Sequence, residues 1–172
     1  MILSQAYTYA LLMAFPACLI LAGLSDFMTM TISNRLCAAI AILFPFAALQ
    51  FGLPLSDFAA HMGVGFAVFV LGFALFSLNL IGGGDAKLLA ASALWIGPDG
   101  ILAYGVLVAL FGGALAIVLL SARSLLAPVT GFAAADRLLE KETGVPYGIA
   151  IAAAGFVVYS DGPLLTAALA WL

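Results

Sequence analysis

Residues 58–87 read FAAHMGVGFAVFVLGFALFSLNLIGGGDAK, an apolar run that ends in three glycines, an aspartate and a lysine. The part from 58 to 81 has a single ionisable side chain, His61, and exceeds the roughly 20 apolar residues that cross a bilayer. Glycines allow backbone conformations that other residues avoid. A carboxylate at membrane depth costs so much free energy that it indicates a functional residue. The stretch therefore predicts a spanning helix, then a break that carries a functional aspartate.

Composition extends this interpretation to the whole chain. Of the 172 residues, 66% are hydrophobic and 8% are charged, and the mean hydropathy is +1.28. Soluble domains carry about 25% charged residues, so lipid must be the solvent for most of this surface. The chain is too short for an additional soluble domain, which predicts one membrane-embedded domain over 1–172. Five lysines and arginines in total exclude the basic stripe of a nucleic-acid binder.

Breaks in hydrophobicity divide the chain into six apolar segments. They are predicted at 3–25, 36–51, 58–81, 86–96, 101–121 and 146–160. The glycines and prolines of 52–57 and 97–100 predict turns. The last apolar piece, 164–172, is too short to span, and we expect it at the interface or against the bundle. The expected fold class is all-α, a polytopic membrane bundle of about six transmembrane helices.

Basic residues indicate the orientation of this bundle. If six spans alternate, the junctions 26–35, 82–87 and 123–145 lie on one side. These junctions contain every basic residue of the chain: Arg35, Lys87, Arg123, Arg137 and Lys141. The opposite junctions hold the ionisable residues Asp57, His61, Asp99 and Asp161. Cytoplasmic loops carry an excess of Lys and Arg, so the first three junctions are predicted to be cytoplasmic and both termini to lie outside.

Two aspartates, Asp26 and Asp85, stand at helix ends on this predicted cytoplasmic side. Two neighbouring carboxyl groups share one proton and titrate as a pair. The ionised group can take a proton from water while the protonated group donates to a scissile carbonyl, which is aspartyl protease chemistry. The residues 82–84 are expected to adopt unusual φ/ψ values and to let an extended substrate approach Asp85. This chemistry needs no metal or organic cofactor, and Cys18 and Cys37 lack the further ligands of a zinc site.

Three motifs resemble those of one known family. Residues 82–87, GGGDAK, resemble the GxGD motif of membrane aspartyl proteases, and Ser25-Asp26 followed by Ile32-Ser33-Asn34-Arg35 resembles the first-aspartate motif of type IV prepilin peptidases. Val145-Pro146-Tyr147-Gly148 resembles the Pro-aromatic-Gly segment that opens a late helix in that family. The motifs come in the family's order and cover nearly the whole chain. They are most similar to the short form associated with Flp (tight-adherence) pilus assembly.

The resemblance implies that Asp26 and Asp85 are the catalytic pair of an aspartic-type endopeptidase. Its substrate would be a prepilin, a single-helix membrane protein that reaches the site through lipid and is cut at the cytoplasmic face of a bacterial inner membrane. The other motif residues are expected to bind substrate or shape the site: Gly82, Gly83, Gly84, Lys87, Asn34, Arg35, Pro146, Tyr147 and Gly148.

Two departures from the family pattern bear on this implication. The family often has Ile-Pro-Asn where this chain has Ile32-Ser33-Asn34, which affects the shape of the loop and neither aspartate. The longer enzymes also carry a cytoplasmic cysteine-rich segment and N-methylate the mature pilin. This chain has no such segment, so peptidase activity without methyltransferase activity is expected.

Other interpretations of the same residues compete with these. Asp85 alone is a good helix N-cap, Asp26 alone an interfacial carboxylate, and Lys87 a lysine that snorkels to water. His61 is interpreted as interfacial and 136–142 as a solvated amphipathic stretch. Four glycines are expected to permit close helix packing: Gly63, Gly65, Gly112 and Gly113.

Two other functions also remain open. A small proton-coupled transporter uses buried carboxylates and glycine-broken helices as well. It predicts an internal repeat, of which the sequence shows no convincing example. A non-catalytic pilus or secretion assembly subunit would tolerate the loss of either aspartate.

Overall fold

The computed structural model describes residues 2–126, 131–140, 142–162 and 164–166, and within them every regular element is a helix. The helices are α1 (Ile2–Thr29), α2 (Asn34–Gln50), α3 (Leu55–Ser77), α4 (Gly83–Leu125), α5 (Ala133–Leu139) and α6 (Tyr147–Ser160). The all-α polytopic class is confirmed. Most of the apolar piece predicted at 164–172, and Lys141, lie outside the described residues.

Three of these helices are long and apolar enough to cross a membrane: α1 from Ala6, α3 and α4. The helices α2 and α6 are apolar but shorter. Many large apolar side chains face outward along the long helices, among them Phe66, Leu102 and Ile117. A soluble protein would not expose so large an apolar surface, whereas lipid is a suitable solvent for it. The number of crossings, six, stays a prediction.

The helix α4 contains a sharp reversal at Gly97, whose backbone has φ 70° and ψ −174°. Leu89 and Val108, on either side of Gly97, line one cavity. An unbroken helix would separate them by about 28 Å at 1.5 Å per residue, so the two halves of α4, 83–96 and 98–125, run antiparallel. They correspond to the fourth and fifth predicted segments. The break predicted over 97–100 is found at Gly97 alone, since residues 98–100 already belong to the second helical half.

His61 occupies the space at this reversal. Its side chain is 3% exposed, and its Nδ1 lies 2.7 Å from the carbonyl oxygen of Leu94. A Cβ at position 97 would collide with the imidazole. The interpretation of His61 as an interfacial residue is therefore wrong, because the ring fills the gap that Gly97 leaves beside α4.

An aromatic cluster joins the other helices to the first half of α4. The rings of Phe15 and Trp95 stack with centroids 5.0 Å apart, and Tyr159 meets Trp95 edge-on at 6.2 Å. The indole N–H of Trp95 donates to the carbonyl oxygen of Ile40 at 2.8 Å. Buried aromatic pairs contribute about 0.5–1.5 kcal/mol beyond the burial of their area, so this cluster fixes α1, α2, α4 and α6 relative to one another.

The glycines predicted to permit close packing divide into two groups. A Cβ at Gly65 would collide with Leu94, and a Cβ at Gly112 would collide with the ring of Tyr147. By contrast, a Cβ at Gly63 or Gly113 would meet no atom within 4 Å. The prediction is confirmed for the first two positions and wrong for the other two.

Candidate active site

The three polar junctions that carry the basic residues meet at one end of the bundle. Lys87 Nζ donates to Asn34 Oδ1 at 2.9 Å, which joins the second junction to the first. Arg137 Nη1 donates to the carbonyl oxygen of Met28 at 2.7 Å, which joins the third junction to the first. The side of the membrane that this end faces stays a prediction.

Asp26 lies in the last turns of α1 and is 5% exposed. Its Oδ2 accepts a hydrogen bond of 2.7 Å from the backbone N–H of Gly148, at the start of α6. The chain leaves α1 immediately afterwards, since Met30 takes φ 55° while its N–H still donates to the carbonyl oxygen of Asp26. A carboxylate buried this deeply needs a donor, and α6 supplies it through its backbone.

Asp85 occupies the first turn of α4, whose N-cap is Gly82. Its carboxyl group reaches back to the backbone of Gly82, as an acidic residue at the third helical position does in a capping box. The interpretation of Asp85 as the N-cap itself is therefore wrong. A carboxylate at this position also lies favourably toward the positive end of the helix dipole.

The structure brings the two aspartates together at the junction of two cavities. A cavity of about 600 Å³ is lined by both aspartates, by the 79–82 loop and by the start of α6. A second cavity of about 280 Å³, on the side of the 30–32 loop, is also lined by both aspartates and by residues 82–84. Both aspartates therefore border the same two spaces.

The glycines of this site are needed because a side chain would not fit there, rather than because the backbone takes an unusual conformation. Gly82 has φ −68°, and the described glycines with positive φ are Gly52, Gly97 and Gly131. The expectation of unusual φ/ψ values at 82–84 is therefore wrong. A Cβ at Gly82 would instead lie 2.8 Å from Asp85 Oδ2, and at Gly84 3.2 Å from the Cβ of Ile32.

Gly148 leaves room for the carboxyl group of the other aspartate, Asp26, in the same way. A Cβ at this position would lie 2.8 Å from both Cβ and Oδ2 of Asp26. Pro146 is buried and occupies the N-cap position of α6, and Tyr147 lines the larger cavity and contacts Gly112. The motif at 145–148 therefore places a hydrogen-bond donor on Asp26 and a ring beside it.

Three predicted site residues lie outside the two cavities that the aspartates share. The described linings of the two cavities do not include Asn34, Arg35 or Lys87. Lys87 and Asn34 pair with each other across the starts of α4 and α2, while Arg35 is exposed. Ser33, which stands where the family often has proline, is the N-cap of α2 and accepts from the Arg35 N–H at 3.3 Å.

Sequence reasoning missed several residues that shape the site. Met30 and Asn79 have φ 55° and 58° and line the larger cavity. Arg123 donates to the carbonyl oxygens of Leu138 and Gly144, each at 2.8 Å, and so ties the segment before α6 to α4. Asparagine favours the left-handed region and could have signalled the turn at 79, but neither Met30 nor Arg123 belongs to a recognisable pattern.

The arrangement suits hydrolysis by a pair of carboxyl groups. Two carboxyls that face one cavity can hold one proton between them, so that one acts as a base and the other as an acid. Among the described residues, no group of three or more His, Cys, Asp or Glu is arranged as a metal site.

Comparison with known proteins identifies the family. The model of the type IV leader peptidase family matches residues 13–121, more than half of the chain. The match includes Asp26 and Asp85 and ends before the motif at 145–148. No curated protein and no solved structure matches the chain. The peptidases of the matched family are of the aspartic type, and the apolar helices described above are those of a membrane protein. The chain belongs to the type IV leader peptidase family and is a leader-peptidase-like protease.

Proposed function

We propose that this protein is a membrane-embedded aspartyl endopeptidase that removes the leader peptide of Flp-type prepilins, with Asp26 and Asp85 as its catalytic pair. The observation that carries the proposal is the shared space of the two carboxyl groups, which line the same two cavities. The resemblance of the three motifs to the short, Flp-associated form supports the choice of substrate.

The chemistry follows from one proton shared by two carboxyl groups. The ionised carboxyl takes a proton from a water molecule as the water oxygen bonds to the scissile carbonyl carbon, and the protonated carboxyl donates its proton to the carbonyl oxygen. The tetrahedral intermediate then collapses, the C–N bond breaks, and a proton passes to the leaving amine. General acid–base transfer of this kind contributes about 10²–10⁴-fold to a rate.

The surroundings of the pair suit a peptide substrate. The larger cavity lies between two non-helical segments, 78–82 and 142–146, and an extended chain can lie along them. Apolar side chains of Leu89, Val108 and Ile151 form its inner wall. Apolar walls lower the local polarity, and electrostatic interactions of the carboxyl groups are stronger there than in water.

The basic residues gather at the end of the bundle that holds the aspartates, which favours a cytoplasmic site in a bacterial inner membrane. The leader of the substrate would meet the site there, and its apolar helix would stay in lipid. The chain lacks a cysteine-rich segment, so we propose peptidase activity without N-methyltransferase activity.

The test is co-expression with a Flp-type prepilin, with leader removal followed by gel shift and mass. Asp26→Asn and Asp85→Asn should each reduce cleavage by about 10²-fold or more, because an amide cannot exchange the required proton. Asparagine keeps an acceptor for the Gly148 N–H, which preserves the fold. The matched control is Asp57→Asn, which replaces an exposed aspartate at the other end of the bundle and should leave cleavage normal.

Each outcome of this test is informative. Cleavage that persists in either aspartate variant would contradict the aspartyl mechanism. If the natural chain leaves prepilins of this and other types uncut, the protein is an assembly subunit or transporter rather than a peptidase of pilins.

A further inference from the structure

A groove on the outside of the bundle runs between α2 and α3. Both helices lie against the first half of α4 rather than along each other. They meet at the end remote from the aspartates, where Phe44 stacks on Phe58 and His61 at 5.7 and 5.4 Å. Toward the aspartate end, residues of both helices and of α4 line an open groove of about 290 Å³.

The groove is floored by small residues and walled by large ones. Ala41, Gly65, Ala90 and Ala91 make the floor, and Phe66 and Phe69 stand at the edge. In lipid, helices associate where small residues let their backbones approach closely. The helix α3 also has room for a neighbour, since only 17% of its most apolar 18-residue stretch is buried.

The groove leads to the catalytic end of the molecule. Cys37 and Lys87 line its upper part, and Lys87 follows Asp85 by two residues, which is about 3 Å along the helix axis. The Asn34–Lys87 hydrogen bond of 2.9 Å joins α2 to α4 at this end of the groove. Gly84 and Asp85, three and two residues before Lys87 on α4, line the smaller cavity together with the 30–32 loop and Asp26.

We propose that this groove docks the apolar helix of the substrate, and that the peptide continuing from that helix passes the Asn34–Lys87 pair into the cavity of Asp26 and Asp85. The inference rests on the proposed function and specifies how the prepilin is held. The family resemblance implies a cut just before the apolar helix of the prepilin, and a helix seated along α4 toward Lys87 would bring that region close to Asp85.

The shape of the groove selects a helix among the possible occupants. A lipid chain needs no floor of small residues, because it adapts to any apolar surface. A second copy of this chain would have to insert one of its own helices, and would then block the path from the groove to the aspartates. A single helix with a flexible extension satisfies both the floor and the path.

The experiment is disulfide cross-linking in membranes. The background carries Cys18→Ser, Cys37→Ser and Asp26→Asn, so that uncut prepilin remains bound. Phe66→Cys at the groove edge is compared with Val106→Cys on the outer face of α4, where the natural side chains are 69% and 58% exposed. Single cysteines are placed along the prepilin helix, and the adducts are measured after oxidation.

We expect the yield of adducts with Phe66→Cys to be at least 5-fold higher than the yield with Val106→Cys. The reactive prepilin positions should be spaced by three or four residues, since such positions lie on one face of a helix. Equal yields at both sites, or a higher yield at Val106→Cys, would overturn the proposal. Adducts between two copies of the Phe66→Cys chain in place of prepilin adducts would assign the groove to a second copy. Absence of any adduct would mean that lipid occupies the groove, and would overturn the proposal as well.

A second variant separates docking from catalysis. Ala41→Phe fills the groove and should lower cleavage of the prepilin at least 10-fold through KM. A soluble peptide that spans the cut site and lacks the apolar helix should be cleaved at an unchanged rate. An equal loss on both substrates would refute docking. Failure of the natural chain to cleave the prepilin would refute the proposed function instead, so the two failures are distinguishable.

Discussion

Each aspartate of the site is held against the backbone of a glycine. Asp26 accepts the N–H of Gly148 at 2.7 Å, and Asp85 reaches back to Gly82. A Cβ on either glycine would lie 2.8 Å from a carboxylate oxygen, closer than the van der Waals contacts of a packed interior allow. The positions of the carboxyl groups therefore depend on the absence of two side chains.

The replacement of Gly148 by alanine tests this dependence. In Gly148→Ala the new methyl group must displace the Asp26 carboxyl group, because its nearest neighbours are the Cβ and Oδ2 of that residue. A misplacement of about 1 Å can cost on the order of 10²-fold in rate, so kcat for leader removal should fall by about 10–100-fold with little change in KM. Initial rates on purified prepilin at several substrate concentrations measure this.

Gly113→Ala is the matched control for this variant. It adds the same methyl group to a helix, at a position with no atom within 4 Å, and should leave both kcat and the melting temperature in detergent close to natural values. Full activity of Gly148→Ala at normal membrane levels would show that the Asp26 carboxyl tolerates displacement.

Among the elements, α4 contributes most to the site, because its two halves both face the aspartates. The reversal at Gly97 brings Leu89 and Val108 to one cavity wall. Its combination of φ 70° and ψ −174° belongs to a region that is essentially restricted to glycine. The buried ring of His61 also occupies the side on which a Cβ would point.

We expect Gly97→Ala to destabilise the bundle by about 1–3 kcal/mol from backbone strain alone, with a further cost from the collision with His61. Melting temperatures in one detergent at one scan rate measure the loss. The double variant with His61→Ala removes the collision, and should still melt below His61→Ala alone because the strain persists. Gly105→Ala, in the same helix with no atom within 4 Å, should be neutral or more stable; a Gly97→Ala chain as stable as that control would argue against strain at the reversal.

The elements also indicate what a sequence can predict in such a protein. Hydrophobic runs predicted the positions of α1 to α4 and α6, and the glycine and proline content at 97–100 predicted the break that occurs at Gly97, because these are local properties. The role of Gly148 depends on a contact with Asp26 across 122 positions, and that of His61 depends on the path of α4. Burial of His61 and the spatial role of the glycines at 82–84 could not be predicted, since both arise from packing between helices.

At the scale of the whole molecule, the basic side chains and the two aspartates lie at the same end of the bundle. Lys87 and Arg137 each donate a hydrogen bond to the segment that follows Asp26, to Asn34 and to the carbonyl oxygen of Met28, and Arg123 donates to Leu138 in the third junction. At the other end, Asp99 and Asp161 line a separate cavity. Positive charge is retained on the cytoplasmic side of bacterial membranes, so this polarity links the topology to the side on which a leader would be cut.

This link predicts a specific pattern of labelling. In a Cys18→Ser and Cys37→Ser background, Glu142→Cys places a thiol at the aspartate end and Ser56→Cys places one at the opposite end; both natural side chains are exposed. A membrane-impermeant maleimide should label Ser56→Cys in intact spheroplasts and Glu142→Cys only in inverted vesicles. Retained leader cleavage in both variants shows that the fold is intact. The reverse pattern would place Asp26 and Asp85 outside the cytoplasm, where the basic leader of a prepilin would have to cross the membrane to be cut, and would therefore refute the cytoplasmic site together with the topology.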